Sequence, residues 1–412
     1  MRRFALILAL ALLVAAGGVA AYIVHRLHQI ANVHGSSTVE YSTATPKLPR
    51  PTRPIEWPMY GFDAARTRSV ASALRPPFRT LWRYPAHSLI EFPPSIGYGR
   101  LYFATNAGTF IALNTRTGRR AWHYESHRCA AASPAIGPFG SVFMAFLNHP
   151  PCNRPAGSPG LDGVVIRFAV GFGHVIWRTR IGPTESSPLL VDGRVYVGDW
   201  NGDVWALDGH DGHVVWKLHT GGPVKGGIAY AGGRLYAGSY DGRLYCVSTS
   251  GKLLWKAAAQ GDLMHGGRFY ATPAVEHGRV YVGSTDGKVY SFGAQSGKLR
   301  WSHDTGGYVY SSVAVWRDLA LVGSYSQRFY AFDAATGATR WSFRANGPIS
   351  GSPTVIGGVV YFATLNRLTY ALDARTGKQL WTFPDGKYSP AVVAKGRLFL
   401  VGFRTVFRMV QH

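Results

Sequence analysis

The stretch Ser187-Pro188-Leu189-Leu190-Val191-Asp192-Gly193-Arg194-Val195-Tyr196-Val197-Gly198, continued by Asp203-Val204-Trp205-Ala206-Leu207-Asp208 and His213-Val214-Val215-Trp216, decides the fold. Its alternating apolar residues read as four short strands, A to D in chain order: 187–191, 194–198, 203–208 and 213–216. Asp192-Gly193 and Asp211-Gly212 mark tight hairpins, because Gly accepts the positive φ such turns need. Alternation sends Val195 and Val197 to the face opposite Tyr196, so each face can pack on a neighbouring copy.

Copies of this unit run along the chain, each closing on a tryptophan: Trp82, Trp122, Trp177, Trp216, Trp255, Trp301, Trp341 and Trp381. Their spacings are 40, 55, 39, 39, 46, 40 and 40 residues. A period near 40 with four strands per unit is that of a β-propeller blade, whereas solenoid repeats of similar length are helical. The seven intervals give seven whole blades. An eighth is assembled from both ends, with Ser389–Val393, Arg397–Val401 and Val406–Val410 as strands A to C and Arg79–Trp82 as strand D. The expected fold class is therefore all-β: an eight-bladed propeller over residues 57–412, closed by its two termini in one blade.

Composition agrees. Among 412 residues, 50 are Gly, 24 Pro, 22 Tyr and 12 Trp, and only 16% are charged, which suits a turn-rich β protein. Lys and Arg number 44 against 21 acids, a net charge of +23. That charge attracts nucleic acid, anionic lipid or an acidic envelope polymer.

The N-terminus chooses between these. Arg2 and Arg3 precede an apolar run, Phe4–Val24, of a length to span a bilayer. Residues 1–24 are read as a retained signal-anchor, although Gly18-Val19-Ala20 offers a cleavage site. The basic flank puts the N-terminus in the cytoplasm and the rest outside, at the cell membrane, which makes nucleic acid a poor partner. No cysteine near the run supplies a lipid anchor. Residues 25–56, with Pro46, Pro49, Pro51 and Pro54, read as a disordered linker.

The repeats resemble the PQQ-binding-like β-propellers of the quinoprotein alcohol dehydrogenase-like superfamily. The matching motif is that family's tryptophan-docking repeat, Ala-x-Asp-x-x-Thr-Gly-x-x-x-Trp. It is intact at Ala331, Asp333, Thr336, Gly337 and Trp341 and again at Ala371, Asp373, Thr376, Gly377 and Trp381. Asn114 replaces Asp in the Trp122 copy, and Asp211 replaces Thr in the Trp216 copy. Trp57-Pro-Met-Tyr-Gly-Phe-Asp-Ala-Ala-Arg66-Thr-Arg68 is similar to the segment that leads into the family's ring.

In this strand order the D–A and B–C loops share one face, the top, and the A–B and C–D hairpins the other. Both departures from the period, Leu147–Leu161 and Lys256–Arg268, fall on top, which marks that face for binding. Cys129 and Cys152 lie there in one blade and are expected to form a disulfide stapling the first insertion, while Cys246 reads as a small buried hydrophobe. Aligning the strand A starts gives a ring at the channel mouth: Glu91, Ala131, Glu185, Lys225, Tyr270, Tyr310, Ser350 and Lys387. Its charged pairs are either salt bridges across a solvated funnel or part of a pocket for a polar or anionic ligand. On the bottom, Arg100, Arg194, Arg234, Arg279 and Arg397, with Arg119, Lys252, Lys298 and Lys378, read either as solvated hairpin residues or as a basic surface for anionic lipid.

The family resemblance implies two functions. Its quinoprotein dehydrogenases use a vicinal Cys-Cys disulfide and a calcium site of carboxylate and Asn with a catalytic Asp. This chain has no Cys-Cys pair, only six Glu, and Asp mostly in turns, so no catalytic residue, metal or cofactor is assigned. The alternative remains a PQQ-dependent dehydrogenase with calcium at the mouth. The expected function is that of the non-enzymatic, BamB-like branch: a monomeric, membrane-tethered scaffold for a protein or an anionic envelope polymer.

Overall fold

A computed structural model describes residues 2–43, 55–155, 158–262, 266–388 and 391–412, with residues 2–11 described by backbone alone. Eight sheets form a ring, each built on four antiparallel strands that follow chain order in blades 1 to 7; the sheets of blades 1 and 7 gain a fifth strand, Ile55–Trp57 antiparallel and Ser69–Val70 parallel. The quoted unit is blade 3: strand A Leu189–Val191, B Arg194–Gly198, C Asp203–Asp208 and D Val214–His219. The blade 8 sheet joins Phe78–Pro85 to Thr405–Gln411, Arg397–Val401 and Ala391–Ala394, so the termini close the ring as expected. The Ser389-Pro390 start assigned to its strand A lies outside the described residues.

The tryptophans hold neighbouring blades together. Each indole N–H from Trp122, Trp177, Trp216, Trp255, Trp301 and Trp341 donates to a carbonyl of the next blade, at 2.9, 3.3, 2.8, 3.2, 2.9 and 3.2 Å. The C–D glycine of that next blade lies flat on the ring, in sequence Gly173, Gly212, Gly251, Gly297, Gly337 and Gly377; Gly118 covers Trp82 in the same way. The motif thus pairs a Trp of one copy with the Thr-Gly of the following copy. At the last joint, blade 7 to blade 8, no such glycine exists, and Phe78 meets Trp381 edge-on at 5.6 Å. A β-bulge beside Trp216 re-aims that strand, and the residue opposite is small, Ala206. Cys246 fills the equivalent small slot opposite Trp255, fully buried and unbonded.

The lead-in segment does something the repeat pattern does not announce: it threads the central channel. Ile55–Trp57 pairs with strand A of blade 1 (Ser95–Gly97). The carbonyls of Pro58, Ala64, Ala65, Thr67 and Arg68 then accept from Ile136, Tyr230, Val275, Val315 and Val355, in the innermost strands of blades 2, 4, 5, 6 and 7. Blade 3 is reached by Arg66, whose guanidinium donates to the Ser187 and Pro188 carbonyls at 3.3 Å. Lys395 of blade 8 pairs with Glu56 at 2.8 Å. The channel is therefore plugged by backbone hydrogen bonding, a role that composition does not signal.

The expected linker over 25–56 also needs correction where it is described. Helix α1 (Arg2–Ile30) continues past residue 24. Beyond it the chain lies along blade 5: Val33 and Ser302 exchange backbone hydrogen bonds, Gly35 donates to Thr336, and Ser42 to His277. Glu40 accepts from Ser296 Oγ at 2.7 Å and from Arg300 Nε at 2.9 Å. Single polar anchors such as Glu40 leave no hydrophobic period, so the strip reads as linker. Residues 44–54 of that linker lie outside the described residues. Among the described residues no helix is long and apolar enough to cross a membrane. The side chains of Phe4–Ala11, the first part of the expected span, are outside them.

The bottom arginines are partly committed. Arg194 donates to the Thr249 carbonyl of the next blade at 2.8 Å, and Arg234 to that of Gln295 at 3.4 Å. Arg279 has no such neighbour to reach, because the N-terminal strip intervenes: it donates to the carbonyls of Glu40, Ser36 and Val39. These three staple the ring; they are not an open basic array.

Candidate functional site at the channel mouth

Above the plug, the top mouth is a pocket open to solvent. Its floor is Tyr60, whose hydroxyl meets Ser352 Oγ at 2.8 Å and Ser312 Oγ at 3.4 Å, with the Arg68 guanidinium 4.3 Å from the ring centre. A belt of hydroxyls fixes the neck: Thr272, Ser312 and Ser352 each accept from a backbone N–H of the preceding blade, at 2.7, 3.0 and 2.9 Å. These residues sit just before strand A in each copy, so the repeat itself builds the neck.

Of the expected ring, Glu91, Lys225, Tyr270, Tyr310 and Ser350 line this pocket. Glu185 stands behind them, accepting from Lys225 Nζ at 3.3 Å and from the Tyr270 hydroxyl at 3.2 Å. Ala131 does not reach the pocket; it is buried with Cys129, Leu147 and Trp200. Lys387 is displaced one place by the extra residue in its copy, and Tyr388 takes the lining position. The Lys387 ammonium lies 4.9 Å from the Phe403 ring, which Arg367 and Arg404 also approach, at 4.5 and 5.0 Å. Tyr60, Phe92 and Tyr388 are lining residues that strand A alignment misses.

The rim is aromatic and cationic. Tyr240, Tyr270, Tyr310 and Tyr325 form a chain of ring contacts, with Tyr270 and Tyr310 at 5.1 Å and Tyr310 and Tyr325 at 5.2 Å. Lys225 Nζ is 3.9 Å from the Trp200 ring. The insertion on the same face is stapled as expected: Cys129 and Cys152 are bonded, with Cα atoms 5.6 Å apart. At its far end Arg128 grips Asp162 with two hydrogen bonds of 3.1 and 2.8 Å, which hold that carboxyl below its ordinary range.

Glu91 accepts from Asn106 at 2.9 Å. Burial, and then the charge of Glu185, push its carboxyl up to about 7. An unfolded glutamate releases its proton near 4.5, so between those values the folded chain holds a proton the unfolded chain has lost. Stability is fully supported below that window and falls as pH rises through it. Thermal melts between pH 4.5 and 8 should show this decline, and Glu91→Gln should flatten it.

At the mouth the carboxyls of Glu91 and Glu185 stand beside Lys225, whose ammonium is already shared with Glu185. Among the described residues, the one group of three acidic or histidine side chains close enough to share a metal, Asp208, Asp211 and His213, is in a C–D hairpin on the opposite face.

The family model described as "Outer membrane protein assembly factor BamB" matches residues 76–148, 162–225, 219–314 and 304–409, which is most of the propeller. The chain belongs to this family. A curated relative, the outer membrane protein assembly factor BamB of Burkholderia pseudomallei, is 27% identical over 131 residues, 31% of this chain and 33% of its own. The chain thus spans about a third of the length of the first curated relatives it matches. Two solved structures share the fold: BamB from Moraxella catarrhalis (TM-score 0.64, 17% identity, 82% of this chain and 98% of that one) and quinohemoprotein alcohol dehydrogenase from Comamonas testosteroni (TM-score 0.72, 14% identity, 88% and 81%). At such identities the likeness is one of fold alone, and it includes both an assembly factor and an enzyme.

Proposed function

We propose that the protein is a binding scaffold that receives a protein partner on its top face, tethered to the cell membrane by the Phe4–Val24 run, with no catalytic step of its own. The observation that carries this reading is the construction of the mouth. The plug closes it from below at Tyr60, tyrosines rim it, and on the same face the cations of Arg367, Lys387 and Arg404 gather around Phe403 beside the lining residue Tyr388. Aromatic rings and arginines are the residues that anchor protein interfaces, and a rigid scaffold lowers the entropy cost of docking. Membership of a family described by an assembly factor supports a protein partner, and the cations favour an acidic segment of it. An anionic envelope polymer would meet the same rim.

Deleting Leu147–Leu161 removes the stapled insertion of the top face without touching a blade strand. Affinity capture with full-length protein should lose its partner while the melting curve of the ring stays cooperative; unchanged capture would place the partner elsewhere. The Cys129→Ser, Cys152→Ser double variant is the milder form: opening a 23-residue separation costs up to about 3 kcal/mol, and calorimetry should show it as a fall in Tm.

The second reading, a PQQ-dependent oxidoreductase, draws on the dehydrogenases among the relatives. It requires saturable binding of PQQ and calcium by the full-length chain with alcohol-dependent dye reduction. The expected result is no binding.

A further inference from the structure

The second insertion of the top face holds the chain's own helix. Its residues Gln260 and Asp262 lie in the D–A loop between blade 4 (strand D Leu253–Ala258) and blade 5 (strand A Ala274–Glu276). Gln260 Nε2 donates to the Gln29 and Ala31 carbonyls at 2.9 and 3.1 Å, and Arg26 donates to the Asp262 carbonyl at 2.9 Å. Lys288, at the top end of strand C in blade 5, donates to the Ile30 carbonyl and is buried there. The carbonyls that a helix leaves unsatisfied at its C-terminus are thus met by the propeller.

From that point the strip descends the outside of blade 5. Asn32 Oδ1 accepts from Asp304 N at 2.8 Å at the top end of strand D, while Glu40 and Ser42 reach Ser296 and His277 in the bottom hairpins. Upstream, every residue from 12 to 25 is exposed, Leu13 and Val14 by 70 and 71%, so the apolar run stands clear of the ring. A helix gripped by its last turn on the top rim, and continued by a strip that runs to the bottom, leaves the ring on the top side.

This placement decides which face meets the membrane. Residues 25–30 between the apolar run and the rim cover about 9 Å of helix. With that run in the bilayer, as the tether reading has it, the top rim of blades 4 and 5 comes to the lipid headgroups and the bottom hairpins point away. Tyr308, half-exposed in the loop that follows Asp304, then stands at the interface, where tyrosine is favoured. Space selects the partner: a folded domain of about 100 residues has a radius of gyration of about 13 Å and does not enter such a gap, whereas a single helix, about 10 Å across, does. We propose that the strip and the second insertion fix α1 so that the mouth faces the membrane, and that the mouth takes a juxtamembrane segment of an integral membrane protein. The inference deepens the top-face reading and rests on it and on the tether.

The test uses full-length protein in vesicles that carry an energy acceptor on a lipid headgroup, with a donor dye at Tyr308→Cys on the top or at Ser250→Cys, exposed in the bottom C–D turn of blade 4. Cys246 is buried and Cys129 is bonded to Cys152, so labelling is specific. Transfer should be efficient from position 308 and largely lost at position 250. Glu40→Lys, which frees the strip from Arg300, should narrow the difference, and Glu40→Lys with Arg300→Glu should restore it. Equal transfer from both positions, or stronger transfer from position 250, in protein that floats with the vesicles overturns the orientation and leaves the tether standing; protein that does not float overturns the tether and the inference with it. For the partner, a photo-cross-linker at position 308 in cells should give an adduct whose second chain, identified by mass spectrometry, carries a membrane span. A second chain without a span overturns the partner assignment alone, and no adduct overturns the top-face reading beneath it.

Discussion

Replacing Gly337 by Ala is expected to unfold the ring at markedly lower temperature, with a loss of about 2–5 kcal/mol. Gly337 has a φ of 75°, and a Cβ there would stand 2.7 Å from the Trp301 ring. Trp301 cannot yield, being fully buried, hydrogen-bonded to Ala334 O at 2.9 Å and packed on Tyr281 and Phe332. The strained backbone and the clash therefore add. Trp301→Ala should cost a comparable amount, by leaving a cavity and the Ala334 carbonyl with the Tyr281 hydroxyl as its remaining donor. Since the two residues form one contact, the double variant should lose less than the sum of the singles in chemical denaturation. Full additivity would mean that the glycine and the indole do not act as a docked pair.

The second large effect belongs to the plug. Arg66 is fully buried and donates to the carbonyls of Tyr60, Ile228, Ser187 and Pro188. One guanidinium thus links the lead-in segment to blades 3 and 4, and no shorter side chain spans that set. Arg66→Met keeps much of the volume and leaves four buried carbonyls with fewer donors, for an expected cost of about 3–5 kcal/mol. The floor of the mouth should loosen with it, because Tyr60 is on the same segment. Limited proteolysis should then cut within residues 55–70 faster than in the native protein; a variant that melts and is cleaved like the native chain would show that the plug is held without Arg66.

What the sequence makes legible follows from repetition. Eight Trp at a near-constant spacing encode blade number, strand order, ring closure and the side on which insertions fall, because each copy states the same local rule. Most of the mouth ring follows by register, and Cys129 with Cys152 by their placement in one blade. The plug and the N-terminal strip are absent from that reading because each occurs once and is held by backbone hydrogen bonds and single polar anchors such as Arg66 and Glu40. Lys387 slips by one residue for a related reason: register argument fails where a copy gains a residue. The bottom arginines look free in sequence, since a carbonyl acceptor on the next blade leaves no side-chain signature.

The most direct test of the top-face account is site-specific photo-cross-linking of the full-length protein in its own cells. Probes replace Tyr308 and Tyr310 at the mouth and Asp192 on the bottom of blade 3. The account predicts one discrete protein adduct from both mouth positions, weakened by Lys387→Glu, and none from position 192. No adduct from either mouth position, or the same adduct from all three, would contradict it.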